Sequence, residues 1–91
     1  MRMTDRIRTA LAPLEPVAVQ VEDNSAAHHG HGGWQEGGET HFDVVVVSAR
    51  FRGQSRIARH RMVNELLAGL MAERIHALSL RALTPEEAGG T

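Results

Sequence analysis

The sequence predicts a small α/β (α+β) domain in which helices cover one side of a three-stranded mixed sheet. Three observations carry that expectation: valines in period two at 17–21, a nearly unbroken β-forming run at 42–47, and an apolar stripe at helical spacing over 63–71. The chain of 91 residues is enough for one domain spanning 1–91, burying roughly 60 to 65% of the surface its unfolded form exposes. One Trp, two Phe and no Tyr leave the core to Val, Leu, Ile, Met and Ala. Such a core suits a scaffold better than an aromatic-lined ligand pocket.

Thr4 or Asp5 is placed to cap a first helix, whose apolar residues Ile7, Ala10, Leu11 and Leu14 recur at helical spacing and whose end is bracketed by Pro13 and Pro16. Val17, Val19 and Val21 alternate with Ala18, Gln20 and Glu22, as in a strand with one buried face, and Asp23-Asn24-Ser25 ends it. Residues 24–40 form a flexible His/Gly-rich loop: 26–38 alone hold five Gly and three His and almost nothing that packs. Phe42-Asp43-Val44-Val45-Val46-Val47 reads as a central strand covered on both faces.

Gly53 marks a turn, with Phe51 packing beside it, and Ser55 is the N-cap of the main helix. That helix carries Val63, Leu66, Leu67, Leu70 and Met71 on one stripe. Ile75 to Leu83 is a last strand with Leu78, Leu80 and Ala82 on one face and Ala77, Ser79 and Arg81 on the other. Thr84-Pro85-Glu86-Glu87 has the capping pattern of a helix start, with too little chain after it for more than a turn or short C-terminal helix, and 87–91 reads as a flexible tail. A right-handed crossover makes the last two strands parallel, with the first antiparallel to the middle one.

The formal charge of −1 hides an uneven distribution: all ten basic residues are Arg, and five fall between Arg50 and Arg61. The forked guanidinium suits carboxylates and phosphates, so Arg52, Arg56, Arg59, His60 and Arg61 are candidates for an acidic partner or a nucleic-acid backbone, or else form a solvated helix face. The absence of cysteine excludes disulfides and thiol chemistry within the chain. No apolar run reaches signal-peptide or membrane-span length, and the chain is expected in the cytoplasm. There is no Ser/His/acid constellation of recognisable spacing and no phosphate loop, so the chain is expected not to be an enzyme.

Histidine is dense, with six in the chain. His28, His29 and His31 sit in the glycine-rich loop, where imidazoles can turn toward nickel, zinc or another metal, although exposed histidines also bind divalent ions adventitiously. Trp34 either covers a bound group there or stands exposed. His76 is in phase with Leu78 and Leu80, the place of a half-buried structural histidine, while His41 reads as fixing the end of the loop through hydrogen bonds.

Four motifs in order, Glu39-Thr40-His41-Phe42 before the valines, Phe51-Arg52-Gly53-Gln54-Ser55, Arg59-His60-Arg61 and His76-Ala77-Leu78, resemble the BolA family over nearly the whole chain. The resemblance implies a fold similar to the class II KH module. It also implies that His76, with a histidine or cysteine of the loop, ligates a [2Fe-2S] cluster shared with a monothiol glutaredoxin and its glutathione. The usual loop position falls on His28, with His31 and His29 as alternatives, which makes this chain similar to the histidine-type members. A cysteine-free chain cannot supply thiolates, so the partner must. The expected role is iron-sulfur trafficking or iron/redox sensing. Family members are also associated with transcription control in stress response and cell morphology, implying DNA as an alternative partner; the Phe51–Ser55 turn lacks the second glycine of a KH Gly-X-X-Gly loop. Weak self-pairing is left open.

Overall fold

A computed structural model of the chain describes residues 2–23, 41–73, 75 and 77–89. Helix α1 spans Met3–Ala10 and a 3-10 turn follows at Ala12–Leu14. Strand β1 is Ala18–Asp23, β2 is His41–Val47, and a second 3-10 turn at Ala49–Phe51 leads to α2, Arg56–Glu73. Strand β3 is Ala77–Leu83 and α3 is Pro85–Gly89. The sheet order is β1-β2-β3, with β1 antiparallel and β3 parallel to the central β2, as the crossover argument predicts.

Alternation decides what each strand buries. Val19 and Val21 of β1, Phe42, Val44 and Val46 of β2, and Leu78, Leu80 and Ala82 of β3 share one face by register. That face meets Met3, Ile7, Leu11 and Leu14 from the N-terminal helical segment and Val63 and Leu67 from α2 in one apolar cluster. The central strand is not covered on both faces, as its run of valines suggests. Asp43 is exposed and Val45 only half-buried, because among the described residues the helices pack on the other face. Val45 stands in register between Gln20 and Arg81.

Three local expectations also change. Helix α1 begins at Met3 with Arg2 at the cap position and no side-chain cap, so Thr4 and Asp5 lie inside its first turn, where Asp5 complements the helix dipole instead. Val17 is 68% exposed and precedes β1, although its N–H still reaches the Val47 carbonyl at 2.8 Å. Ile75 is buried ahead of β3 rather than within it.

The turn chemistry follows the sequence. Gly53 has φ +75°, Phe51 is fully buried, and the Ser55 hydroxyl accepts from the Ala58 amide at 3.1 Å. The capping pattern at Thr84 is realised reciprocally: Glu87 N donates to Thr84 Oγ1 at 3.2 Å, and Thr84 N donates to a Glu87 carboxylate oxygen at 2.9 Å. Of the expected tail 87–91, Glu87–Gly89 therefore belong to α3. Among the described residues no helix is long and apolar enough to cross a membrane.

Candidate functional site

The sheet has two chemically different ends. At one, β1 finishes at Asp23 beside Phe42, β2 starts at His41, and His41 is in register with Ala77 at the start of β3. The segment bearing His28, His29 and His31 therefore leaves and re-enters the sheet next to the residue that follows His76. His28, His29, His31 and His76 themselves, with the expected 24–40 loop and Trp34, lie outside the described residues. His41 opens β2 half-buried. Among the described residues no three His, Asp or Glu side chains gather around a metal-sized site.

At the opposite end, β2 runs into the turn at Ala49–Phe51, α2 begins, and β3 delivers α3. Here the structure brings the predicted arginines together and divides them by role. Arg52 Nε donates to Glu86 Oε1 at 2.8 Å while its Nη2 takes the other oxygen of the same carboxylate. That hydrogen-bonded pair holds the Glu86 carboxyl below, and the Arg52 guanidinium above, their ordinary pKa values. Arg59 donates to the carbonyls of Gln54 at 3.0 Å and Ala82 at 3.1 Å and to Glu87 at 2.6 Å. Its side chain is only 15% exposed, and it ties the turn before α2, β3 and α3 to one another. The Glu87 carboxyl is pulled down first by Arg59 and then by the Thr84 amide.

Arg56 and Arg61 differ, having no carboxylate partner among the described residues. With His60 they line an open hollow on the outer side of α2, which also contains Ile57, Asn64 and Glu65. Ile57 is 72% exposed. Arg56 and His60 also line a second hollow with Arg59, Arg81 and Glu87 beside β3. Sequence reasoning placed Arg81 on the outward face of β3 without joining it to the α2 arginines; the parallel register and Arg59's bond to Ala82 make that connection. Arg50, also part of the sequence cluster, is paired with Glu15.

These features have close counterparts. The chain is 44% identical over 87 residues to "SufE-like protein 1, chloroplastic/mitochondrial" of Arabidopsis thaliana, covering 90% of this chain and 24% of that protein. It is 43% identical over 76 residues to "Protein BOLA1, chloroplastic" of the same plant, covering 81% of this chain and 48% of that protein. It is also 39% identical over 88 residues to "DNA-binding transcriptional regulator BolA" of Escherichia coli, covering 96% and 80%. The chain thus spans about a quarter to a half of the two plant proteins. In three dimensions it matches the solved structure of BolA1 from Arabidopsis thaliana with TM-score 0.81 and 41% identity, over 92% of this chain and 93% of that one.

The cytoplasmic expectation is overturned by the plant relatives, whose names place them in chloroplasts or mitochondria. The inference failed on physical grounds: organellar transit segments are amphipathic and Arg-rich, so the lack of an apolar run does not argue for the cytosol. The family profile described as BolA-like protein matches residues 11–87, and with that span, these identities and the shared αββα β architecture, the chain belongs to the BolA family.

Proposed function

We propose that the chain is a single-domain, non-enzymatic adaptor that binds a monothiol glutaredoxin and co-ligates a [2Fe-2S] cluster with it, for iron-sulfur trafficking or iron/redox sensing. The observation that supports this reading most is the convergence of Asp23, His41 and Ala77 at one end of the sheet. The described residues that flank two stretches far apart in sequence, His41 after the histidine-bearing segment and Ala77 after His76, are in register there. The donor set fits the division of labour: His76 and His28, with His31 or His29 as the alternative to His28, offer neutral imidazoles, and the glutaredoxin with its glutathione offers the sulfur this chain lacks. The cluster when bound supplies electron-transfer and iron-delivery chemistry. The chain's part is to present two nitrogen donors, one from the residue that precedes β3 and one from the segment between β1 and β2.

Co-expression with a monothiol glutaredoxin, anaerobic purification with glutathione, and visible absorption and circular dichroism beside His76→Ala and His28→Ala test it. The expected result is a coloured heterodimer whose spectrum differs from the glutaredoxin's own and changes in both variants. A spectrum indifferent to His76→Ala would sink the ligand assignment. Sedimentation of the chain alone decides whether weak self-pairing accompanies this role.

A second reading, a class II KH-like DNA-binding regulator, is favoured by Arg56 and Arg61, which have no carboxylate partner among the described residues, and by the name of the bacterial relative. The arginines to vary for it are Arg56 and Arg61. Arg59 holds three elements together, so its loss confounds binding with folding.

A further inference from the structure

Helix α3 is five residues long and buries none of its own side chains. A helix this short does not persist alone. Beyond its capping box, what fastens it is the recognition of two adjacent carboxylates, Glu86 and Glu87, by Arg52 and Arg59. The receiving surface has more cationic capacity than α3 uses, since Arg56 and Arg81 line the hollow beside Glu87 with no carboxylate partner among the described residues. We infer that α3 is the internal occupant of a carboxylate-recognition surface, and that an acidic segment of a partner protein competes with it for Arg52 and Arg59.

Geometry favours a protein carboxylate over a nucleic-acid backbone. The occupant already seated there is carboxylate, taken by the Arg52 fork through both oxygens. Arg59 is recessed, at 15% exposure. A glutamate side chain projecting from a backbone reaches such a guanidinium, whereas phosphates lying flush along a nucleic-acid strand meet only the more exposed arginines. The surface is also remote from Asp23, His41 and Ala77, at the other end of the sheet. Its occupancy is therefore independent of metal ligation, and its test needs no cluster.

A fluorescein-labelled oligoglutamate peptide, titrated with the full chain and followed by anisotropy at low salt, is the probe. The informative variant is E86Q/E87Q, because Gln at position 87 preserves the capping-box hydrogen bond while removing charge. The control D5N/E22Q removes two carboxylates from α1 and β1 and so changes net charge equally. The expected result is binding to E86Q/E87Q about fivefold tighter than to D5N/E22Q, the upper end for one exposed ion pair, with the gain abolished by adding R52Q, which removes the fork that Glu86 occupies. Equal affinity of the two double variants overturns the proposal. So does tighter binding of E86Q/E87Q to oligothymidylate of matched charge, which marks the surface as one for nucleic acid. In the unaltered protein, the Arg52 and Arg59 Nε–Hε resonances should shift as peptide saturates. Resonances that stay fixed at saturation overturn it as well, whatever the variants' stability.

Discussion

The hydroxyl of Ser48, fully buried where β2 ends, donates to the Leu14 carbonyl at 2.6 Å and accepts from the Arg50 amide at 3.1 Å. One side chain thus joins the segment after α1 to the turn after β2. Ser48→Ala orphans the buried Leu14 carbonyl and removes the partner of the part-buried Arg50 amide, so it should cost about 1–3 kcal/mol, read as a lower urea midpoint at unchanged slope. Gly53 has a different requirement. At φ +75° with nothing within 4 Å of where a Cβ would stand, Gly53→Ala meets no clash, and its cost is the backbone term of about 1–2 kcal/mol. A loss below a few tenths of that would mean the turn relaxes out of the left-handed region. Gly53 was legible in the sequence because its reason is local. Ser48 was not, because its partner is 34 residues away.

The same distinction separates the elements. Helix α2 and the pairing of β1, β2 and β3 follow from periodicities carried within each segment, and Ser55 caps α2 as its position predicts. The outer face of β2 was misread because four consecutive valines look alike whether a second helical layer exists or not. Helix α3 was underestimated because its support comes from Arg52 and Arg59, far back in the chain. Those contacts give it a pH signature. The folded pKa values of Glu86 and Glu87 are lowered, chiefly by hydrogen bonds from Arg52 and Arg59 respectively. Their contribution is therefore complete above the ordinary carboxylate pKa of about 4.3 and is lost as pH falls through the lower folded values. Cα secondary shifts of residues 85–89 should decay toward coil below about pH 4 while those of β2 hold, and in E86Q/E87Q that decay should be much reduced. Simultaneous loss of α3 and the sheet would show that α3 is integral to the fold rather than latched onto it.

Across the whole molecule, the His41 end and the arginine-bearing end stand a strand apart: the six rises between the first and last of the seven residues of β2, at about 3.3 Å each, come to roughly 20 Å. The order and direction of the strands were readable from alternation and crossover rules, but not all their ends: the pattern starts the first strand at Val17 and the last at Ile75, where the structure has Ala18 and Ala77. The proposed assignment of His76 rests on the family resemblance, since a lone His in phase with Leu78 and Leu80 has the pattern of a core residue. The separation predicts that the two ends respond to acid in different ranges. Imidazole must be neutral to donate to iron, and protonation near the reference pKa of about 6.5 removes that lone pair. In the proposed complex with glutaredoxin, the visible bands should fade as pH falls below about 6, while the α3 resonances remain unchanged until the carboxylates titrate near pH 4. Replacing His76 should abolish the first transition and leave the second in place; absorption that holds steady from about pH 8 to about pH 5 would contradict imidazole ligation, whatever the behaviour of α3.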